Sequence, residues 1–254
     1  MLACDALTLE IGGRALFRSL NLELRANELW AILGPNGSGK TTLMQALAGL
    51  RRANAGAVCL DGRALREVPH RERAQRIGLL LQQENAEFWG DVREYVLLGR
   101  YPHAGPWRGW GTADLIAAER ALEELGMSEF AAREYATLSG GERQRARIAQ
   151  LFAQAPAWLL LDEPLQHLDL NHQVRTLSML RQRAAAGEGG VVMVVHDALW
   201  AAHCCTHALL LGQHGIVATG CAADVLTRTH LEAAYGCALK EFASDGARYL
   251  VPDI

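Results

Sequence analysis

An α/β chain is predicted, with a mostly parallel sheet, an N-terminal antiparallel β subdomain and an inserted helical subdomain. Three observations carry that expectation. Residues 29–33, 158–161 and 191–195 are continuous apolar runs, as in strands buried on both faces of a parallel sheet. A Gly-rich loop follows the first run and opens a helical pattern. From about residue 87 to 150 the apolar spacing is helical instead.

Each element follows from local pattern. Leu7-Thr8-Leu9-Glu10-Ile11 alternates, Gly12-Gly13 turns, and Leu20-Asn21-Leu22-Glu23-Leu24 alternates again, which predicts two paired strands. Leu43 and Leu47 share one face of a helix that Gly49 ends. Val58-Cys59-Leu60-Asp61-Gly62 reads as a strand entering a turn. Thr112 is placed to cap a helix carrying Leu115, Ala118, Leu122 and Leu125, closed by Gly126. Asp245-Gly246 between apolar segments predicts a final hairpin. The expected division is a single domain over 1–254, with a core of 1–86 and 151–254 and a helical subdomain of about 87–150.

Composition narrows the function. The 254 residues hold 25 Lys+Arg against 28 Asp+Glu, a net charge of −3, which argues against a general nucleic-acid binder. Half the residues are apolar, ample for a core without disulfides or metal. No apolar run reaches the roughly 18–20 residues that span a bilayer, and no signal peptide is evident, so a cytoplasmic chain is expected. Six scattered cysteines read as small buried hydrophobes.

Gly34-Pro35-Asn36-Gly37-Ser38-Gly39-Lys40-Thr41-Thr42 fits GxxxxGK[ST] between a buried strand and a helix. Glycines let the backbone curl so that successive N–H groups face phosphate oxygens. The helix N-terminus adds partial positive charge. Lys40 supplies a full one to the β/γ-phosphates, and the Thr41 hydroxyl can ligate Mg²⁺. The expected core is therefore that of a P-loop NTPase (RecA-like).

Two further features narrow the chemistry. Residues 159–161 lead into Asp162-Glu163-Pro164. Asp162 is suited to hold Mg²⁺ through water, and Glu163 to orient or deprotonate the attacking water. Leu138-Ser139-Gly140-Gly141-Glu142 opens a helical run and makes a second anion-binding helix N-terminus. His203 and His207 have the i, i+4 spacing that can hold metal on a helix, without a further ligand in evidence.

With these motifs the chain resembles the ATP-binding subunits of ABC (ATP-binding cassette) transporters, whose signature is Leu-Ser-Gly-Gly-Glu. The resemblance implies that Ser139, Gly140 and Gly141 face the ATP held by the phosphate loop of a second protomer, in a two-fold homodimer. It also implies that Gln82, or Gln83 in an alternative register, is the glutamine that contacts Mg²⁺ and water. Asp169, after Leu168, matches the dimer-interface loop, and His196 the histidine that contacts the γ-phosphate. Three positions depart from the pattern. Ile11 stands where an aromatic usually stacks on adenine. Leu165 replaces a small polar residue, and Gln166-His167 stands where small residues are more common.

A finer resemblance joins residues 98–103 and 168–173 to the ATPases of iron-siderophore, haem and vitamin B12 (cobalamin) uptake systems. It implies a membrane permease partner and, indirectly, a periplasmic or extracellular substrate-binding protein. It also implies a peripheral location on the inner face of the cell membrane and no nucleic-acid partner. Phe88 and Trp89, beside Glu87, either anchor that permease or pack beneath the helical subdomain. The other classes are a small-molecule kinase, which has no need of a second phosphate site, and a soluble ABC-type ATPase in translation or DNA repair. The latter usually carries two cassettes or a long coiled coil. A bare cassette reads as a separately encoded transporter subunit.

Overall fold

The computed structural model describes residues 1–82, 88–105, 109–187, 189–213, 215–244 and 247–253. In chain order its elements are β1 (Leu2–Ile11), β2 (Arg14–Leu24), β3 (Leu29–Leu33), α1 (Lys40–Leu47), β4 (Ala55–Leu60), β5 (Arg63–Ala64), α2 (His70–Arg76) and β6 (Ile77–Leu80). The helical stretch holds α3 (Val92–Leu97), α4 (Thr112–Glu124) and α5 (Gly140–Gln154). Then come β7 (Trp158–Asp162), α6 (Leu170–Ala185), β8 (Gly190–Val194), α7 (Ala198–Cys204), β9 (His207–Gly212), β10 (Gly215–Cys221), α8 (Ala222–Val225), α9 (Arg228–Tyr235), β11 (Leu239–Ser244) and β12 (Ala247–Pro252).

The main sheet has the order β10-β9-β3-β8-β7-β6. Of its five pairings, β9 with β10 is antiparallel and the other four are parallel. Every residue of β3, β7 and β8 is buried, because layers cover both faces. Successive side chains point to opposite faces. Trp30, Ile32, Trp158, Leu160, Val192 and Val194 pack with α1 and the N-terminal sheet. Ala31, Leu33, Leu159, Leu161, Val191 and Met193 pack toward the helices.

The N-terminal sheet has the order β2-β1-β4-β5 and is antiparallel throughout. β1 starts earlier than the alternation at Leu7 predicts. A register shift between Cys4 and Leu7, with Ala6 at φ 46, restores Leu2 and Cys4 to the same core as Leu7 and Leu9. Gly56 faces this bulge; a Cβ there would lie 2.2 Å from the Ala6 carbonyl oxygen.

α3, α4 and α5 pack through Val92, Val96, Ala118, Leu122, Ala146 and Phe152. α5 runs to Gln154, past residue 150. Thr112 is the first helical residue rather than the cap. Gly111 takes the cap position without a side-chain cap, and its own N–H donates to the Asp114 carboxylate at 3.1 Å, which also puts an acid in the first turn, where the helix dipole favours it.

Part of the uptake-like stretch 98–103 ties this helical layer to the core. Arg71 on α2 donates to the carbonyls of Pro102, His103 and Ala104 at 2.9, 3.3 and 2.6 Å. Gln75 also donates to Pro102, at 2.8 Å, and His103 Nε2 lies 2.8 Å from the Gln154 carbonyl oxygen. β11 and β12 pair as the expected hairpin; its turn, Asp245-Gly246, lies outside the described residues.

The cysteines depart from expectation. All six are free; only Cys4 is buried, while Cys221 and Cys237 are exposed. Among the described residues, no helix is long and apolar enough to cross a membrane.

Candidate nucleotide-binding site

The phosphate loop leaves the C-terminal end of β3, at the centre of the sheet. Its tight course is imposed by packing. Gly34 has φ 147, and a Cβ there would lie 2.6 Å from the Leu211 carbonyl oxygen. Gly39 has φ 100 and lies against the Phe17 ring. Lys40 opens α1, is buried, and donates through Nζ to the carbonyls of Gly34 and Pro35 at 2.8 and 3.0 Å. Burial pushes its pKa down, while Glu163 and Asp162 nearby pull the other way.

A cleft of about 560 Å³ runs over this loop. Asn36, Gly37, Gly39, Lys40, Thr41 and Thr42 form its floor, with Gln82 and Glu163 on one side and Ile11, Arg14 and Leu16 also lining it. Ser38 is buried beneath. Gln83 and Glu87 lie outside the described residues.

Asp162 ends β7 and is 1% exposed. Neither carboxylate oxygen has a hydrogen-bond partner within the structure. Burial is the main cause of its raised pKa, with Glu163 adding repulsion; Thr41, Lys40 and His196 oppose the shift. A buried carboxylate with no hydrogen-bond partner on either oxygen, beside a threonine hydroxyl, is a donor set that suits a hard divalent cation, so Thr41 and Asp162 fit Mg²⁺. The sign of the shift has a consequence. A raised pKa means that ionised Asp162 costs the ligand-free chain stability, and this cost grows as pH rises through that pKa. Asp162→Asn should therefore raise the melting temperature of the ligand-free chain at neutral pH by roughly 2–4 °C, the shift that about 1 kcal/mol gives at this size. Mg²⁺-dependent stabilisation by nucleotide should disappear; differential scanning fluorimetry with and without Mg²⁺-ATP checks both.

Glu163 follows with φ 56, a left-handed backbone rare outside glycine. Its N–H donates to the Val194 carbonyl at 3.2 Å, which anchors the residue to the neighbouring strand β8. Its carboxylate is buried, with Oε1 2.6 Å from His196 Nε2. Oε2 accepts from the Gln166 side-chain amide. β3, β7 and β8 thus bring Lys40, Asp162-Glu163 and His196 to one end of the sheet.

The second predicted anion site lies apart from the first. Ser139 caps α5, accepting from the Glu142 N–H at 3.3 Å, while the Glu142 carboxylate accepts from the Ser139 N–H at 2.7 Å. The bond from the Ser139 N–H leads in holding the Glu142 carboxyl below its usual pKa, against the opposing effect of burial. Gly140 and Gly141 lie beneath His167; a Cβ on Gly141 would sit 2.8 Å from the His167 carbonyl oxygen. Asp169 caps α6 by accepting from the His172 N–H at 2.9 Å. None of Ser139, Gly140, Gly141 or Asp169 lines the cleft over the phosphate loop. The signature helix is nonetheless tied to the site. Gln144 on α5 donates to the Pro164 carbonyl at 3.0 Å, and Arg147 donates to Gln144 Oε1 at 2.9 Å and to the Leu81 carbonyl.

One reading is corrected here and one open alternative is divided. His203 ends on α7 and His207 begins β9, so they share no helical face. His207 stacks on Trp30 with ring centroids 4.8 Å apart, and no cluster of three metal-binding side chains occurs among the described residues. Phe88 and Trp89 divide: Phe88 packs edge-on against Tyr95 and Tyr135, whereas Trp89 is 86% exposed. Arg14 and Leu16 line the cleft although no motif marks them; only the approach of β2 to the loop does. Gln166 was visible as a departure from the family pattern, without its contact.

The residue pattern of the ABC transporter family matches residues 17–166. The hemin import ATP-binding protein HmuV of Myxococcus xanthus is 38% identical over 244 residues, covering 91% of this chain and 90% of that protein. The ferric enterobactin transport ATP-binding protein FepC of Escherichia coli is 36% identical over 252 residues, covering 98% and 92%. Among solved structures, one described as an inward-facing metal-chelate type ABC transporter superposes with a TM-score of 0.85 at 28% identity, over 100% of this chain and 97% of the other.

Proposed function

Because the chain belongs to the ABC transporter family and is an ATPase, we propose that it powers uptake of a metal chelate through a separate membrane permease. Cobalamin, an iron-siderophore and haem are the cargo classes in view. The observation that carries the ATP-driven step is the convergence of Lys40, Glu163 and His196 at the ends of β3, β7 and β8. The likeness to hemin and ferric enterobactin import proteins over nine-tenths of the chain supports the cargo class.

In this reading 1–254 is one ABC ATPase domain, with a core of 1–86 and 151–254 and a helical subdomain of about 87–150. ATP lies over residues 34–42, its phosphates on the loop N–H groups and Lys40. Thr41, Asp162 and Gln82 would hold Mg²⁺, which supplies charge neutralisation at the phosphates. Glu163 takes the proton of the attacking water, and His196 contacts the γ-phosphate. Ser139, Gly140, Gly141 and Asp169 serve the ATP of a second copy. Their position away from this chain's own cleft supports a two-fold homodimer closing over two nucleotides. Closure moves the helical subdomain, and the permease follows.

The permease is expected to hold the chain at the inner face of the membrane, facing a substrate-binding protein on the other side. Trp89, large and exposed, suits an anchor for a partner helix. Pull-down of the tagged chain from native membranes, read by mass spectrometry, tests the proposal. A polytopic permease and a binding protein are expected. Ribosomes or DNA-repair factors without a membrane protein would overturn it in favour of a soluble ABC-type ATPase.

Ile11 lines the ATP cleft and is half exposed. It offers the base apolar contact without ring stacking, which adds roughly 0.5–1.5 kcal/mol. Ile11→Tyr should therefore lower KM for ATP by about three- to tenfold with kcat unchanged. An unchanged KM would place the base elsewhere.

A further inference from the structure

We propose that Gln166 is a positioning residue for ATP hydrolysis, its side-chain amide holding the carboxylate of Glu163. The proposal rests on the reading of Glu163 as the base. Gln166 stands where the family more often has a small residue, and a longer side chain can reach back across the turn. It does so here: Gln166 Nε2 donates to Glu163 Oε2, while the Gln166 backbone N–H donates to the Glu163 carbonyl at 3.3 Å. The two bonds close a short ring of backbone and side chain around the carboxylate.

The surrounding loop is held from two helices. Gln144 on α5 fixes the Pro164 carbonyl. Gln173 on α6 donates to the carbonyls of Leu165 and Leu168 at 3.4 and 3.1 Å. Position 166 is thus bracketed on both sides, so the amide is presented from a fixed turn.

The other donor to Glu163 differs in kind. His196 approaches Oε1, but its side chain is 49% exposed, and an imidazole nitrogen donates or accepts according to its tautomer. An amide N–H always donates and takes no proton from the carboxylate. Gln166 therefore fixes one oxygen of a base whose other oxygen faces a variable partner. Orientation of a reacting group is worth large factors in rate.

The test is a set of variants of the full chain assayed for kcat, KM for ATP and melting temperature. Gln166→Leu, similar in size and without a donor, should lower kcat roughly tenfold with KM and melting temperature unchanged. Gln166→Asn, which keeps the amide on a shorter stem, should recover part of that loss. In single-turnover assays on the Glu163→Gln background, Gln166→Leu should add no further loss, because the two residues act as a unit. If leucine lowers the melting temperature, Gln166→Ser replaces it in the same comparisons.

Turnover within about twofold of wild type in Gln166→Leu would overturn the proposal. So would an asparagine no better than leucine, or an equal added loss on the Glu163→Gln background. A Glu163→Gln variant with normal turnover would instead overturn the underlying assignment of the base.

Discussion

Glu163→Gln should cut ATP turnover by roughly a hundredfold or more while ATP still binds. The substitution preserves size and shape, and its amide can still bond to neighbours at the ends of β7 and β8. The link from residue 163 to Val194 is a backbone bond and survives the change. Loss of a negative charge beside buried Asp162 relieves repulsion, so the fold is not at risk. What the amide cannot do is accept a proton. Phosphate release should collapse, nucleotide binding measured by fluorescence should persist, and size-exclusion chromatography should show an ATP-loaded dimer. Normal phosphate release would remove Glu163 from the role of base.

Lys40→Ala should abolish useful ATP affinity. Its ammonium sits inside the phosphate loop on the carbonyls of Gly34 and Pro35, already desolvated before any nucleotide arrives. Losing one partner of a buried, hydrogen-bonded charge pair costs about 2–5 kcal/mol, or roughly thirty- to several-thousand-fold in Kd. The ligand-free fold should change little, because burial of this cation is itself unfavourable. Titration calorimetry with ATP and circular dichroism melts separate the two effects. Wild-type affinity would show that the loop does not bind phosphate through Lys40.

Much of this was legible in the sequence because the constraints are local. A loop that needs positive φ at Gly34, Gly37 and Gly39 advertises itself by composition, and strands covered on both faces advertise themselves as unbroken apolar runs. The bulge at Ala6 was not legible, since it is set by the approach of Gly56 from β4. The same holds for Arg14 and Leu16, whose place in the cleft depends on how β2 meets the phosphate loop. The spacing of His203 and His207 carries nothing for a related reason: a spacing of four has meaning only if one helix contains both, and α7 stops at Cys204. At Gly111 the cap was misjudged by one residue, because glycine, with no side chain to mark it, takes the cap position and Thr112 begins the helix. Exposure of Cys221 and Cys237 follows from edge and loop positions that composition does not encode.

The strand order of the main sheet sets when the site can come into being. Leu29 is paired with Val191, and Trp30 with Val192 and His207, whereas the N-terminal sheet closes within residues 2–64. Loop closure must precede any reward from such distant pairs, so they form slowly and late. A nascent chain emerged only as far as α1 carries the whole phosphate motif and none of the strands that flank β3. The motif that most plainly announces the chemistry is made first; the surface that gives it meaning waits for the second half of the chain.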